Sequence, residues 1–113
     1  MLGAEIIAFD ATLRHRPVRI ENLISKIHSC TKIAMADCST VKDAINAIEN
    51  GADILSTTLS GYTSQKLPPK NPDFKLLRQL IKRFQVPIIA EGRFNTPYFY
   101  KKAINTGAHA VVV

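Results

Sequence analysis

The sequence alternates short apolar runs rich in β-branched residues with longer amphipathic segments, which restricts the chain to few architectures. Five runs are typical of strands, and they occupy residues 5–10, 32–37, 53–58, 87–91 and 109–113. Successive runs start about 20 to 35 residues apart, a spacing that fits β/α units with helical crossovers. The sequence therefore predicts a parallel sheet in which a helix connects each strand to the next.

Three of the four intervening segments show the apolar spacing that places residues on one face of a helix. These apolar sets are Ile20, Leu23, Ile24 and Ile27; Val41, Ala44, Ile45 and Ile48; and Phe74, Leu77, Ile81 and Phe84. Capping residues mark where the helices begin and end. The predicted caps are Thr40 with Asp43, Asp73, and Thr96 before Pro97 at helix starts, and Gly51 and Gly107 at helix ends.

Composition excludes several classes of protein. With 46% apolar and 21% charged residues in 113, the chain is neither disordered nor collagen-like, and it suits one domain. No apolar run approaches the roughly 18 residues of a membrane span, so we expect no membrane partner and a cytoplasmic location. Cys30 and Cys38 have no second pair and are expected to be reduced thiols, and the three histidines show no metal-ligand spacing.

The net charge of +6 raises the question of a nucleic-acid partner. Most basic residues are dispersed over the outer faces of the predicted helices, which favours a solvated surface over a nucleic-acid interface. We therefore expect no nucleic acid. A positive field also suits an anionic small substrate, although charge alone does not choose between these interpretations.

Polar residues stand at the carboxyl ends of four successive predicted strands, where parallel α/β folds bind ligands. They are Asp10, Asp37, Thr57 with Thr58, and Glu91. A lone aspartate in such a place is typical of a turn or a cap. Glu91 is different, because it follows the buried run of residues 86–90 and the next helix already has Thr96 as its cap. It needs a partner or a chemical task.

Five segments at these strand ends together resemble the N-acetylmannosamine-6-phosphate 2-epimerases of bacterial sialic acid catabolism. The segments are IIAFDATLRHRP, IAMADCST, GADILSTTLSGYT, PIIAEGRFNTP and GAHAVVV, in the family's order and spacing. The resemblance implies a TIM-type (β/α)8 barrel in which this chain supplies strands 4 to 8. It also implies interconversion of N-acetylmannosamine 6-phosphate and N-acetylglucosamine 6-phosphate in amino sugar catabolism, by deprotonation and reprotonation at C2.

The resemblance also implies roles for individual residues. In this family a lysine on the third strand and the glutamate of the EGR motif are the usual acid/base pair, and that glutamate is Glu91 here. Asp37 of the MAD motif would belong to the polar network that holds the sugar. The other implied substrate-binding residues are Asp10, Arg14, Thr58 and Tyr62 at the mouth, with Gly92 and Arg93 at the phosphate. No cofactor or metal is implied.

The number of strands departs from the family. A closed barrel of this type has about 250 residues, so five units match its spacing but not its count. We therefore expect residues 1–113 to form a single partial barrel domain that lacks the first three β/α units and the C-terminal end. The chain would then be a truncated gene product, one half of a split gene or an incomplete record of a longer sequence. The lysine of the acid/base pair would be absent with those units, so we expect the chain alone to be inactive.

Several alternatives remain open at this level. The sheet could instead be an open doubly wound one, and the segment 60–72 could be a binding loop or a plain surface loop. The chain could be a non-catalytic remnant that forms a homo-oligomer or binds a missing barrel half, or another phosphate-binding barrel enzyme. In a one-layer arrangement, an inner sheet face would be bare, with residues drawn from Ile6, Ala8, Ile33, Met35, Ile54, Ile88 and Ala90.

Overall fold

The five predicted strands form one parallel sheet in the computed structural model, which describes residues 3–64 and 66–113. The strands are β1 (Ile6–Asp10), β2 (Ile33–Asp37), β3 (Ile54–Ser56), β4 (Ile88–Ala90) and β5 (Ala110–Val111). They lie side by side in chain order, and every neighbouring pair is parallel. The predicted runs were longer than the strands, because Thr57, Thr58 and Glu91 lie just beyond β3 and β4. Gln65 of the predicted long loop falls outside the described residues.

Each crossover contains one helix. The apolar spacing predicted three of them, and the cap at Thr96 before Pro97 predicted the start of the fourth. The helices are α1 (Ile20–Ser29), α2 (Val41–Glu49), α3 (Phe74–Arg83) and α4 (Pro97–Thr106). Predicted caps are confirmed at three helix starts: the side chains of Thr40, Asp73 and Thr96 accept from backbone N–H groups at 3.2, 2.8 and 3.1 Å. At the end of α4, Gly107 has a φ of 116°, a left-handed conformation that costs a glycine little.

Asp43 joins the start of α2 to the loop that follows β1. One carboxylate oxygen, Oδ2, accepts from the backbone N–H groups of Ser39 and Thr40 at 3.0 and 2.8 Å. The other, Oδ1, accepts from the N–H of Leu13 at 2.9 Å. The side chain is buried, so these donors have little access to water as an alternative acceptor. Asp43 therefore fixes the loops after β1 and β2 relative to each other.

The hydrophobic core lies between the helices and one face of the sheet. Residues of β2, β3 and β4 on this face are buried: Ala34, Ala36, Leu55, Ile88 and Ala90 are each 3% exposed or less. Leu77 and Leu80 of α3 are fully buried with them. Alternation along each strand sends the other residues to the opposite face.

That opposite face is largely uncovered. Ile6 of β1 and Ile33 of β2 are paired in register and are 46% and 41% exposed. The predicted inner face was wrong in two places, because Ile88 and Ala90 lie on the helix side. In β4 the residue on the open face is instead Ile89, because it pairs with Ser56 of β3, which in turn pairs with Asp37 of β2.

The four helices of the described residues fall short of the length and apolar character that a membrane span requires.

The two faces predict different costs for neighbouring substitutions in β3. Leu55→Ala should lower the free energy of unfolding by about 2–5 kcal/mol, because it leaves a cavity between sheet and helices. Ile54→Ala, the matched control on the open face, should cost no more than about 1.5 kcal/mol. Urea denaturation followed by circular dichroism measures both. Equal losses would show that the open face is covered in solution.

Candidate active site

Parallel register brings the polar strand ends together at one edge of the sheet. Asp10 lies opposite Asp37, and Asp37 lies opposite Ser56. Because side chains of paired residues point to the same face, all three project from the end of the open face. Glu91 follows β4 directly and reaches the same place through the hydroxyl of Thr58.

Two hydroxyl groups connect the carboxylates of Asp37 and Glu91. Ser56 Oγ donates to Asp37 Oδ1 at 2.7 Å, and Thr58 Oγ1 donates to Glu91 Oε2 at 2.6 Å. The two hydroxyl oxygens lie 2.5 Å apart, and Thr58 Oγ1 is also 3.2 Å from Asp37 Oδ1. The structure therefore places three of the predicted site residues, Asp37, Thr58 and Glu91, in one hydrogen-bonded cluster.

The backbone of Glu91 is held separately from its side chain. Thr57 Oγ1 donates to the Glu91 carbonyl at 2.8 Å and accepts from the Glu91 N–H at 3.1 Å. Thr57 is only 1% exposed and lies on the opposite side of the strand end from Ser56 and Thr58. Glu91 is thus fixed at its backbone by one threonine and at its carboxylate by the next.

The carboxyl group of Asp37 has a pKa above the ordinary value of an aspartate. Burial raises the pKa of its carboxyl group, and the nearby negative charges of Glu91 and Asp10 raise it further. Hydrogen bonds from Ser56 and Thr58 act in the opposite direction but do not cancel these effects, so the net shift is upward.

Asp10, beside it on β1, shows the opposite behaviour. Burial alone would raise the pKa of Asp10, but hydrogen bonds from Thr12 and Arg14 and the charge of Arg14 outweigh it and lower the pKa. Arg14 approaches Asp10 Oδ2 at 3.0 Å, and Arg16 lies 3.6 Å from Oδ1. Asp10 and Arg14, two of the predicted substrate-binding residues, therefore form an ion pair with each other at the rim. Among the described residues, neither Asp10 nor Arg14 forms a hydrogen bond with Glu91.

Tyr62 stands between two clefts at the rim. A cleft of about 520 Å³ is lined by Tyr62, Asp10 and Arg14, and one of about 440 Å³ by Tyr62, Thr58 and Glu91. Gly92 and Arg93 line the second cleft as well. All the predicted substrate-binding residues except Asp37 thus border one of two adjoining clefts.

Arg93 is engaged with the loop between β3 and α3. Its Nε donates to the carbonyl of Asn71 and its Nη1 to the carbonyl of Ser60, both at 2.8 Å. Its guanidinium group also lies over the ring of Tyr62, 5.4 Å from the centroid. Gly61 completes the contact, because a side chain there would meet Pro69 at 2.8 Å and Arg93 at 3.2 Å. Arg93 therefore ties both ends of the loop to the site.

Sequence reasoning missed Ser56 and the separate role of Thr57. The signal was present in the order Ser-Thr-Thr, since alternation puts Ser56 and Thr58 on one face and Thr57 on the other.

Cys38, next to Asp37, is fully buried, and this burial raises the pKa of its thiol. Both cysteines are free, and within the described ranges no three His, Cys, Asp or Glu residues form a metal-ligand group.

Comparison with known proteins gives consistent matches. Residues 1–113 match a family model described as "Putative N-acetylmannosamine-6-phosphate epimerase". A Clostridium perfringens protein named "Putative N-acetylmannosamine-6-phosphate 2-epimerase" is 47% identical over 111 residues, 96% of this chain and 50% of that protein. The solved structure of a Clostridium perfringens N-acetylmannosamine-6-phosphate 2-epimerase matches with a TM-score of 0.91 and 46% identity, over 97% of this chain and 49% of that one.

A more distant match shows the fold alone. (S)-Mandelate dehydrogenase is 20% identical, with a TM-score of 0.69 over 85% of this chain and 26% of that one. The chain spans about half the length of the curated relatives it matches. The strand order and these matches confirm the predicted fold class, parallel (β/α) units of a TIM-type barrel, with the sheet open between β1 and β5.

The contacts of Arg93 predict that its loss releases the loop. Arg93→Met removes the bonds to Ser60 and Asn71, so trypsin should cut after Lys66 and Lys70 several-fold faster. Arg78→Met, at an exposed position of α3, is the matched control. Limited proteolysis with mass spectrometry of the fragments measures both rates. If the two variants are cut at the same rate, Arg93 does not hold the loop.

The two aspartates predict opposite effects of charge removal. Asp37→Asn should raise the melting temperature by a few degrees at pH 7, because the raised pKa makes ionisation of Asp37 unfavourable to the fold. This gain should fade as the pH falls through the raised pKa of Asp37 and be lost below pH 3.8, where the aspartate becomes protonated in the unfolded chain as well. Asp10→Asn should lower the melting temperature at pH 7, and its effect should fade as the pH falls through the lowered pKa of Asp10. Thermal unfolding followed by circular dichroism gives both signs, and equal signs would contradict the assignment.

Proposed function

The chain belongs to the N-acetylmannosamine-6-phosphate epimerase family, and from this premise we propose that it carries the Glu91 half of an acid/base site that inverts C2 of an N-acylated amino sugar phosphate. The reaction would interconvert N-acetylmannosamine 6-phosphate and N-acetylglucosamine 6-phosphate. The observation that carries the proposal is the cluster of Asp37, Thr58 and Glu91 at the carboxyl ends of parallel strands.

Inversion at C2 requires a group such as a carboxyl that can donate or accept a proton at this position. The C2 proton becomes acidic only when the sugar ring is open and C1 is a carbonyl, which gives an enediolate intermediate. Inversion needs one group to remove the proton and another to return it from the opposite face. Glu91 is the proposed group on one side, since it borders the second cleft and its backbone is fixed by Thr57.

The second group is proposed to lie outside these 113 residues. The resemblance to the family implies that the partner of this glutamate is a lysine on the third strand, and none of the five strands in the described part of the chain ends in a lysine. We propose that residues 1–113 form one partial barrel domain equivalent to strands 4 to 8. Its activity alone would then be very low, because one acid/base group cannot serve both faces of C2.

The sugar phosphate is proposed to bind along the rim. Asp37 would hold and orient the groups of the cluster, and Tyr62 would lie against the sugar between the two clefts. Arg14, which is 54% exposed, and the remaining edge of Arg93 would face the phosphate beside Gly92. These roles follow the family motifs and fit the net positive charge of the chain.

A second candidate function is a non-catalytic module that self-associates. The exposed residues Ile6 and Ile33 on the open sheet face favour it, because apolar sheet faces are normally covered. An oligomer that grows with concentration and shows no affinity for either sugar phosphate would support this candidate over the epimerase.

The proposed function predicts that activity depends on a second segment. The chain alone should exchange the C2 proton of N-acetylmannosamine 6-phosphate in heavy water at or near the background rate. Addition of the first three β/α units of the Clostridium perfringens relative should restore exchange. Proton NMR at C2 measures both rates, and ordinary enzymatic turnover by the chain alone would refute the need for a second group.

In the reconstituted enzyme, Glu91→Gln should reduce exchange by at least about 100-fold, since it removes a proton-transfer group and keeps the side-chain shape. Glu49→Gln, at the exposed end of α2, is the matched control and should leave exchange unchanged. Retained activity in the Glu91 variant would remove Glu91 from the acid/base role.

A further inference from the structure

Four oxygen atoms form a continuous chain across the carboxyl end of the sheet. In order they are Asp37 Oδ1, Ser56 Oγ, Thr58 Oγ1 and Glu91 Oε2, separated by 2.7, 2.5 and 2.6 Å. All three separations lie in the range of O–H···O hydrogen bonds. Each bond of this kind needs one proton between its two oxygens.

The three short contacts of this chain need one proton more than its two hydroxyl groups supply. The hydroxyl groups of Ser56 and Thr58 supply one proton each, but the chain contains three short contacts. With both carboxyl groups ionised, one contact would place two lone pairs against each other. All three bonds close only when Asp37 and Glu91 hold one proton between them.

We propose that Ser56 and Thr58 form a proton relay that connects Glu91 to Asp37 and that the two carboxyl groups share one proton. When the proton is on Glu91, it is donated to Thr58 Oγ1, Thr58 donates to Ser56 Oγ, and Ser56 donates to Asp37 Oδ1. In the transfer each hydroxyl group gives up its proton on one side as it receives one on the other. Glu91 becomes a carboxylate, Asp37 becomes a neutral acid, and the total charge is unchanged.

The surroundings of the chain favour a shared proton over a cation. Among the ion pairs of the described residues, none involves Asp37 or Glu91. Three arginines of the loops after β1 and β4 are otherwise engaged, since Arg14 and Arg16 face Asp10 on β1 and Arg93 faces the β3–α3 loop. Two carboxyl groups in one cluster without a cation repel each other when both are ionised, and a shared proton removes that repulsion.

Neighbouring polar groups do not supply the missing proton. Thr57 uses its hydroxyl group on the backbone carbonyl of Glu91 and lies on the other face. The backbone N–H of Thr58 reaches Ser56 Oγ only at 3.4 Å and does not lie between two oxygens of the chain. The raised pKa of Asp37 agrees with a proton held in the cluster.

The relay deepens the proposed function and, as a catalytic device, rests on it. After Glu91 returns a proton to C2, it must be reprotonated, and the relay supplies a proton from Asp37. Ser56 and Thr58 are then positioning residues that act through Glu91. The shared proton itself is a property of the folded chain and can be measured without any sugar.

The test is a pH titration of the full chain, with the carboxyl carbons of Asp37 and Glu91 followed by ¹³C NMR. If the groups share a proton, each resonance should show both titration steps, because the steps belong to the pair. Thr58→Val removes the hydroxyl group and keeps the shape, so each carbon should then show one step of its own. Thr58→Ser should retain the shared steps, and Thr63→Val, which loses a hydroxyl group bonded to Ser39 on the same rim, should retain them as well.

Ser56→Ala provides a second break in the relay if Thr58→Val does not fold, and backbone amide spectra show whether each variant is folded. Independent single-step titrations in the wild-type chain would overturn the relay and leave the epimerase proposal standing. Shared steps that persist in Thr58→Val or Ser56→Ala would also overturn it. Shared steps in a reconstituted protein that does not act on the sugar would support the relay and refute the epimerase proposal.

Discussion

The parallel register between β1, β2 and β3 is the constraint on which the site depends. Once Ile6 pairs with Ile33, the next residues follow in step, and Asp10 must lie beside Asp37 and Asp37 beside Ser56. Neighbouring strands are about 4.8 Å apart, so the two aspartates repel each other when both are ionised. Different groups compensate this repulsion: arginines surround Asp10, and hydroxyl groups surround Asp37.

The same alternation divides the sheet into two unlike faces. One face packs against the helices through small and branched residues such as Ala36 and Leu55, which makes a dense core. The other face remains open, and the polar cluster stands at its carboxyl end. The groups proposed to handle protons therefore lie at the end of an apolar surface, and burial there raises the pKa of Asp37.

Sequence patterns predicted the helices, several caps, the parallel β/α units and most residues of the polar edge, because each depends on local spacing or on a motif. They placed Ile88 and Ala90 on the wrong face, since an apolar run such as residues 86–90 carries no alternation that shows which residues point inward. They also missed Ser56, whose contact with Asp37 depends on the register between two strands. The contacts of Arg93 with Ser60 and Asn71 depend on the path of a long loop, which no local pattern specifies.

The side chains around a carboxylate determine whether it stays ionised or can exchange a proton. A cation beside a carboxylate favours its ionised form at almost any pH, which suits Asp10 as the anchor of the loop after β1. A hydroxyl group favours neither form so strongly, because it can donate to a carboxylate or accept from a carboxylic acid. Glu91 follows a buried strand and takes part in no ion pair among the described residues, but its carboxylate is bonded to Thr58. The acid/base role proposed for Glu91 requires a change of protonation state in every turnover, and neighbours of this second kind, Ser56 and Thr58, would allow it.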